Sequence, residues 1–355
     1  MLSRFFIVVL SFFLLIPING IALERSLSGQ LSGWFVLSEP TPDKTLLGVR
    51  YLPELRVGQQ LSADQRLDME LALNFYSSSA LADLNYAADS TFLKPYRASL
   101  RYTTDQLEVR AGLQKISFGP AMVLRSLMWF DRLDPRDPLK LTDGVYGLLA
   151  RYFFLDNSNV WAWTLYGNED PKGLETIGTY SRSIEVGGRW QFPVPAGELA
   201  LTYHRRRPAQ DSVESRYAID GSWDFGVGIW FEAVLSETEQ PSAAIQQTKL
   251  FTIGSDYTFD WGTGLRLLAE HMIRDQEDLG LYGNYSALNG SYNLSMIDTI
   301  NVIIYYDWKQ ENIDSYLSWQ STYDEWLLNI SAYESGMSSG GLGEKGVQVL
   351  VRHDY

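Results

Sequence analysis

Apolar and polar residues alternate along most of this chain with a period of two. Residues 66–76 show the pattern most plainly: Leu67, Met69, Leu71, Leu73 and Phe75 alternate with Arg66, Asp68, Glu70, Ala72 and Asn74. Successive side chains of a strand point to opposite faces, so such a run is a strand with one apolar face and one wet face. The same alternation recurs at 27–37, 46–56, 96–103, 106–114, 145–155, 159–167, 183–192, 197–205, 215–224, 226–236, 249–259, 263–273, 283–294, 299–309, 314–320, 325–333 and 345–355. Most of these runs have about the 9–11 residues that cross a bilayer as a tilted strand. The pattern predicts about eighteen strands, with sixteen as the runner-up.

The links between them fall into two classes. Those at 104–105, 156–158, 193–196, 224–226, 260–262, 295–298 and 321–324 are short, and those at 77–95, 115–144, 168–182, 206–214, 237–248, 274–282 and 334–344 are longer. The classes interleave, which puts the short turns at one end of the molecule and the long loops at the other. Outer-membrane barrels have this asymmetry, and a soluble sandwich has no reason to sort its loops so. Two links depart from it: 57–65 is longish where a short turn belongs, and 310–313 is short where a long loop belongs. The predicted fold is all-β, a transmembrane antiparallel β-barrel forming one domain over residues 23–355.

One link stands apart. Residues 115–144 separate two amphipathic strands, where connections in compact domains run about 4–6 residues. Met122, Val123, Leu124, Leu127, Met128, Trp129 and Phe130 are too apolar to hang in solvent, and Pro135 and Pro138 stiffen the segment after them. The expectation is a loop that folds inward, packs on the inner wall and narrows the lumen.

Arg4 followed by the apolar run Phe5–Ile16 and the small residues Gly20 and Ala22 reads as a signal peptide over 1–22, removed on export. The chain has no Cys, so a closed hydrogen-bonded barrel rather than disulfides must supply stability. Its 11 Trp and 21 Tyr suit girdles at the two membrane interfaces. The formal net charge of −14 argues against nucleic acid as a partner, since phosphate binding needs clustered cations.

With the apolar parity turned to lipid, the opposite parity faces the lumen. In the first half it presents Arg50, Arg56, Arg66, Arg97, Arg101, Arg110, Arg151 and Arg189, and in the second Asp220, Asp224, Glu232, Asp256, Glu270 and Asp307. Asp68, Glu70, Glu108, Glu185 and Glu198 interrupt the first set, and Arg216, Arg266 and Arg352 the second. An Arg facing hydrocarbon at the midplane costs about 2–4 kcal/mol, so this parity implies a wet interior. The candidate constriction sets Arg97, Arg101, Arg110 and Arg151 across from loop charges Asp131, Asp134, Asp137 and Asp143, with Arg132 and Arg136 beside them. A purely local pairing that pins the loop to the wall is the competing expectation.

The run Arg110-x-Gly112-x-Gln114-x-Ile116-x-Phe118-Gly119, followed by Asp134-Pro135-Arg136-Asp137, resembles bacterial outer-membrane porins, broadly including the alginate-export-like and substrate-selective channels. Phe118 stands where Trp or Tyr is commoner in that family. The last ten residues, Gly346 to Tyr355, resemble the terminal strand that the barrel-assembly machinery reads, with Tyr355 where Phe is more frequent. The resemblance implies a channel in the outer membrane, surrounded by lipid and lipopolysaccharide, passing small hydrophilic solutes by passive or selective diffusion. A homotrimer is the oligomer common among such porins. An exporter of an anionic polysaccharide, favoured by the arginine wall, and a plugged structural or adhesive barrel are the alternatives.

Little points to an enzyme, a metal site or a cofactor. His204, at a strand end before Arg205-Arg206-Arg207, reads as an external rim patch, and His271 and His353 have lipid-side parity near strand ends. No His is placed beside a nucleophile as hydrolytic catalysis requires, and scattered histidines without Cys do not make a zinc site.

Overall fold

The computed structural model describes residues 23–39, 44–82, 85–239, 245–276, 281–336 and 345–355. The expected signal peptide lies outside the described residues. Eighteen strands follow one another: β1 (Leu23–Glu39), β2 (Lys44–Ser62), β3 (Gln65–Ala82), β4 (Asn85–Thr103), β5 (Leu107–Gln114), β6 (Val145–Phe153), β7 (Asn159–Tyr166), β8 (Ile184–Val194), β9 (Gly197–Ala209), β10 (Ser212–Asp224), β11 (Gly228–Glu239), β12 (Ile245–Phe259), β13 (Leu265–Gln276), β14 (Leu281–Asn293), β15 (Asp298–Asp307), β16 (Asn312–Tyr323), β17 (Trp326–Ser335) and β18 (Lys345–Asp354). Each pairs antiparallel with its neighbours in sequence, and β1 also pairs with β18 from Gln30↔Asp354 to Glu39↔Lys345. The sheet is therefore closed, as a spanning sheet must be, because an open edge would leave amides unpaired in hydrocarbon. The expectation of eighteen strands holds and that of sixteen falls.

The strands of the first two hairpins outrun the membrane. β1, β2, β3 and β4 have 17, 19, 18 and 19 residues. The predicted long link 77–95 is mostly paired strand, with ladder contacts from Ser77↔Thr91 to Ala82↔Asn85. The predicted link 206–214 is likewise a hairpin, since β9 reaches Ala209 and β10 starts at Ser212. At the other end β2 runs on to Ser62 and β3 begins at Gln65, so the longish link 57–65 closes as a tight turn. The physical reason is that backbone pairing continues beyond the stretch that must present one face to hydrocarbon. There the apolar alternation that marks a strand in the sequence fades, while the backbone ladder does not.

The two faces separate cleanly. Leu27, Leu31, Leu47, Leu148, Trp190, Leu201, Ile253, Leu288 and Leu317 stand exposed on the outer parity. Aromatic pairs ring the outer face near strand ends: Tyr152 with Phe154 and Tyr257 with Phe259 near the short turns, and Tyr306 with Trp308 near the long loops, each with centroids 4.8 Å apart. These are the girdles expected where an amphipathic ring sits at headgroup depth.

The seam is locked by the last residue. Tyr355 exchanges two backbone hydrogen bonds with Gly29, each 3.1 Å, and its hydroxyl donates to that of Tyr51 at 2.8 Å. Its ring also stacks on Tyr51 at 6.2 Å. Replacing Tyr355 by Ala removes the stack and the hydroxyl pair at the last strand to close. The expected result is a lower yield of heat-modifiable, folded barrel on electrophoresis after refolding, with Tyr355→Phe falling between Ala and wild type.

Candidate functional site: the lumen and its inward loop

Loop 115–144 leaves the end of β5 and turns into the barrel. Its base is tied by Gln114, 1% exposed, whose Nε2 donates to the carbonyls of Arg110 and Gly147 at 3.1 Å each. The apolar middle packs at Leu127, Trp129 and Phe130 as the sequence predicts, while Met122 stays exposed. Phe118, Leu127, Trp129 and Phe130 cluster with Leu149 on β6, Trp163 and Leu165 on β7, and Val234 on β11. Phe118 stacks on Trp163 at 5.8 Å, and Phe130 meets it edge-on at 5.6 Å. Each fully buried large side chain contributes about 1.5–3 kcal/mol, so this face alone holds the loop firmly to the wall.

Two carboxylates on the facing wall grip the backbone of the loop. Glu232 on β11 accepts from the amides of Ala121 at 3.0 Å and Leu127 at 2.8 Å. Glu270 on β13 accepts from the amides of Met122 at 2.7 Å, Val123 at 2.9 Å and Leu124 at 2.5 Å, and from Trp230 Nε1 at 3.0 Å. Thr252, between them on β12, donates to the Leu124 carbonyl at 2.8 Å. Gly119 has φ +94°, which a side-chain-bearing residue rarely adopts, and a Cβ there would run into the Glu232 carboxylate and Leu127. Glu232 and Glu270 are thus buried clamps, 0% and 3% exposed, rather than free charges facing solutes.

The loop's own charges are also spoken for. Asp131 is 1% exposed and pairs with Arg125 at 2.8 Å. Asp134 pairs with Arg136 at 2.9 Å, and Asp143 with Lys94 at 2.7 Å. Burial raises the Asp134 carboxyl, but the hydrogen bonds and charge of Arg136 outweigh it and hold the group below its ordinary value. Asp137 accepts the amides of Leu139 at 2.9 Å and Leu141 at 3.2 Å and so shapes the turn around Pro138.

A second loop, 167–183, joins the first, and the sequence marks it only as a longer link. The amide of Leu174 donates to the Met128 carbonyl at 3.0 Å, and Arg132 Nε donates to the Gly173 carbonyl at 2.7 Å. Gly173 has φ +49°, and a Cβ would run into that same Met128 carbonyl. Beneath it lies a buried ion network. Glu175 meets Arg206 at 3.1 Å and Arg216 at 2.9 Å, and Lys172 reaches Glu185 at 3.1 Å. His204 sits inside this network, 0% exposed, accepting from Trp163 Nε1 at 3.1 Å and 3.1 Å from Glu185. The expectation of a rim patch at His204 is therefore wrong: loop 167–183 folds over it and makes it core. A buried network like this is costly to break, because an abandoned partner stays charged in a dry site.

The arginines of the first half mostly face carboxylates of their own wall, not those of the loop. Arg101 pairs with Asp68 at 3.0 Å, which also takes Arg66 at 2.7 Å. Arg110 and Arg151 share Glu108 at 3.2 and 3.5 Å, and Arg56 pairs with Glu54. Register explains the choice, since Asp68 sits directly across from Arg101 and Glu108 across from Arg151. Arg97 does reach the loop, donating to the Thr142 carbonyl at 3.0 Å. Arg50 lies over the rings of Tyr76 and Trp34, 5.0 and 5.7 Å from their centroids. Arg189 is bidentate to Asp220 at 2.6 and 2.7 Å, both buried. Asp256 pairs with Arg266 at 2.6 Å, and Asp307 and Asp224 cap turns through the amides of Lys309 and Gly226, 2.8 Å each. Arg56, Arg66, Arg101 and Arg110, with Asp68 and Glu70, line a cavity of about 620 Å³ near the short-turn end. Among the described residues, no three His, Asp or Glu come together in a metal-binding group.

No protein-family model matches the chain, and no curated protein matches it by sequence. Solved structures match its fold over nearly the whole length. Pseudomonas aeruginosa OccK9 (OpdG) superposes with a TM-score of 0.62 at 10% identity, covering 93% of this chain and 98% of that one. An anion-selective porin from Comamonas acidovorans gives 0.53 at 13% identity, covering 94% and 100%. The trimer form of OmpT, an outer membrane protein of Vibrio cholerae, gives 0.50 at 10% identity, covering 94% and 100%. The chain therefore has the barrel fold of bacterial outer-membrane porins, with an inward-folded loop.

Truncating Glu270 to Ala leaves the amides of Met122, Val123 and Leu124 without their acceptor, at a cost of about 1–3 kcal/mol per stranded group. Limited proteolysis of the refolded barrel is expected to cut loop 115–144 in Glu270→Ala, and faster in the double variant with Glu232→Ala, while wild type stays intact there.

Proposed function

We propose that the protein is an outer-membrane pore through which small hydrophilic solutes diffuse, with anions favoured along the arginine wall. One observation carries the reading: the lining of the 620 Å³ cavity sets Arg25, Arg56, Arg66, Arg101 and Arg110 against Glu24, Asp68 and Glu70. Rings and walls of charged side chains set selectivity in pores, and a low-dielectric wall focuses their field. Arg50, Arg101, Arg110 and Arg151 line the path, and the buried Arg97 ties the inward loop to the wall. The inward loop sets its width, and Asp134, Arg136 and Asp137 face its long-loop side. The long loops face the exterior and the short turns the periplasm, as in barrels of this class. Residues 1–22 direct export, and sequencing of the mature protein is expected to start at Leu23. The barrel-assembly machinery would insert it, and the trimer form of the Vibrio cholerae protein supports a homotrimer here.

A second reading, an exporter of an anionic polysaccharide of the alginate-export-like kind, draws on the same arginines. A hydrolase is disfavoured by His204, which is walled in by Trp163 and Glu185.

Planar-bilayer recording of the refolded protein tests the pore. Discrete unit currents are expected, with a reversal potential under a KCl gradient that indicates anion preference. Arg101→Ala with Arg110→Ala should move that potential toward cations. Silence from protein shown to be folded would overturn the reading and leave a plugged barrel. Long blockades by anionic oligosaccharides, with little small-ion current, would favour the exporter.

A further inference from the structure

The long-loop mouth holds a second cavity with chemistry opposite to the arginine chamber. It measures about 400 Å³ and lies between loop 115–144 and the inner wall of β14, β15 and β16. Tyr285, Tyr305, Asp307, Asn312 and Asp314 form its wall side, and Arg136 enters from the loop. Asp314 Oδ1 accepts from Ser335 Oγ at 2.9 Å and the Gly336 amide at 2.8 Å. Asp307, 6% exposed, uses Oδ1 for the amides of Lys309 and Gln310 at 2.8 and 3.1 Å. Among the described residues, the Oδ2 atom of each accepts no hydrogen bond. Two carboxylates, each with one oxygen that no described residue occupies, therefore border a cleft lined by Tyr285, Tyr305 and Tyr306.

The cleft already holds two cations, and both are the protein's own: Arg132, which donates to the Gly173 and Glu175 carbonyls at 2.7 and 3.2 Å, and Arg136. The Arg136 guanidinium lies 5.8 Å from the centre of the Tyr305 ring and is held by Asp134 at 2.9 Å. Its side chain is 46% exposed, so it occupies the mouth of the cleft rather than filling it. Aromatic faces attract cations through the ring quadrupole, and carboxylate oxygens accept the N–H groups of ammonium and guanidinium. Arg132 is turned to backbone carbonyls and Arg136 is paired with Asp134, so the carboxylates left over are those of Asp307 and Asp314, and a neutral polyol would not exploit their charge.

We propose that this cleft is a docking site for the cationic nitrogen of a small organic solute, a primary ammonium or a guanidinium, arriving at the long-loop mouth. Arg136 marks the position that the incoming group takes up beside Tyr305 and Asp314. Placed above an arginine-lined chamber, such a site selects solutes that carry a cationic and an anionic group together. This deepens the pore reading and rests on it for direction of travel, but the binding step stands apart from conduction.

Ligand-observed saturation-transfer NMR on the refolded full chain tests the binding, with n-butylammonium as probe and n-butanol as its neutral control. Butylammonium is expected to show saturation transfer and butanol little. Asp314→Asn, which keeps an acceptor for Ser335 and Gly336, should weaken the interaction about threefold, in keeping with one exposed charge pair. Tyr305→Leu should weaken it and Tyr305→Phe should not, because the ring and not the hydroxyl holds the cation. Arg136→Ala should strengthen it by vacating the cleft, an opposite sign that general loosening would not produce. Equal transfer to butanol, or no loss in Asp314→Asn and no gain in Arg136→Ala, overturns the site. Bilayer recordings separate the two readings. Unit currents without a block confined to butylammonium on the long-loop side sink the cleft alone, and NMR binding to a barrel that never conducts sinks the pore alone.

Discussion

Hydrocarbon offers no partner for a peptide group, and this constraint governs the whole molecule. Every amide at membrane depth must find its acceptor in a neighbouring strand, so the sheet has to return on itself. β1 meets β18 to complete that circuit, with Tyr355 locked to Gly29 and Tyr51 at the join. Once the circuit is closed, the period of two assigns each strand residue to lipid or lumen without further choice. The outer girdles, the wet interior and the placement of the arginines follow from that single condition.

Closure also creates an interior too wide for wall side chains to fill, and the chain answers with two of its long loops. Loop 115–144 is held by aromatic packing on one wall and by Glu232 and Glu270 on another. Loop 167–183 then rests on the first and covers the network around Glu175. The interior is thus organised in tiers. Strands carry the first loop, the first loop carries the second, and the spaces left over are the chambers with chemical character.

The fold was legible because its rule is local. An alternation such as Leu67 to Phe75 needs only its neighbours to be read. Strand ends were not legible where β3 and β4 rise beyond the membrane, since Ser77 to Ala82 carries no apolar rhythm. The inward loop announced itself through Trp129 and Phe130, residues too apolar for solvent. Its clamps did not, because Glu232 and Glu270 look like any lumen carboxylate. What distinguishes them is the set of loop amides more than a hundred residues away in sequence that they accept. His204 was misplaced for the same reason: parity put it inside, but only the fold of loop 167–183 buries it. Arginine partners followed cross-strand register, which can be worked out once the turns are known to the residue, and the tight turn after Ser62 was not.

The sharing of Asp68 by Arg66 and Arg101, and of Glu108 by Arg110 and Arg151, has a kinetic meaning. A guanidinium with a whole carboxylate to itself would ignore a passing anion, and one with none would trap it. Arg66 also takes Glu24, at 2.7 Å, whereas Arg101, Arg110 and Arg151 each hold only a share of one carboxylate and have donors to spare. In the proposed pore an anion would be picked up without breaking any ion pair, and the wall carboxylate would compete for the same donors while it stays. On that reading capture and release would be balanced in one surface, like a ladder whose rungs are always half taken.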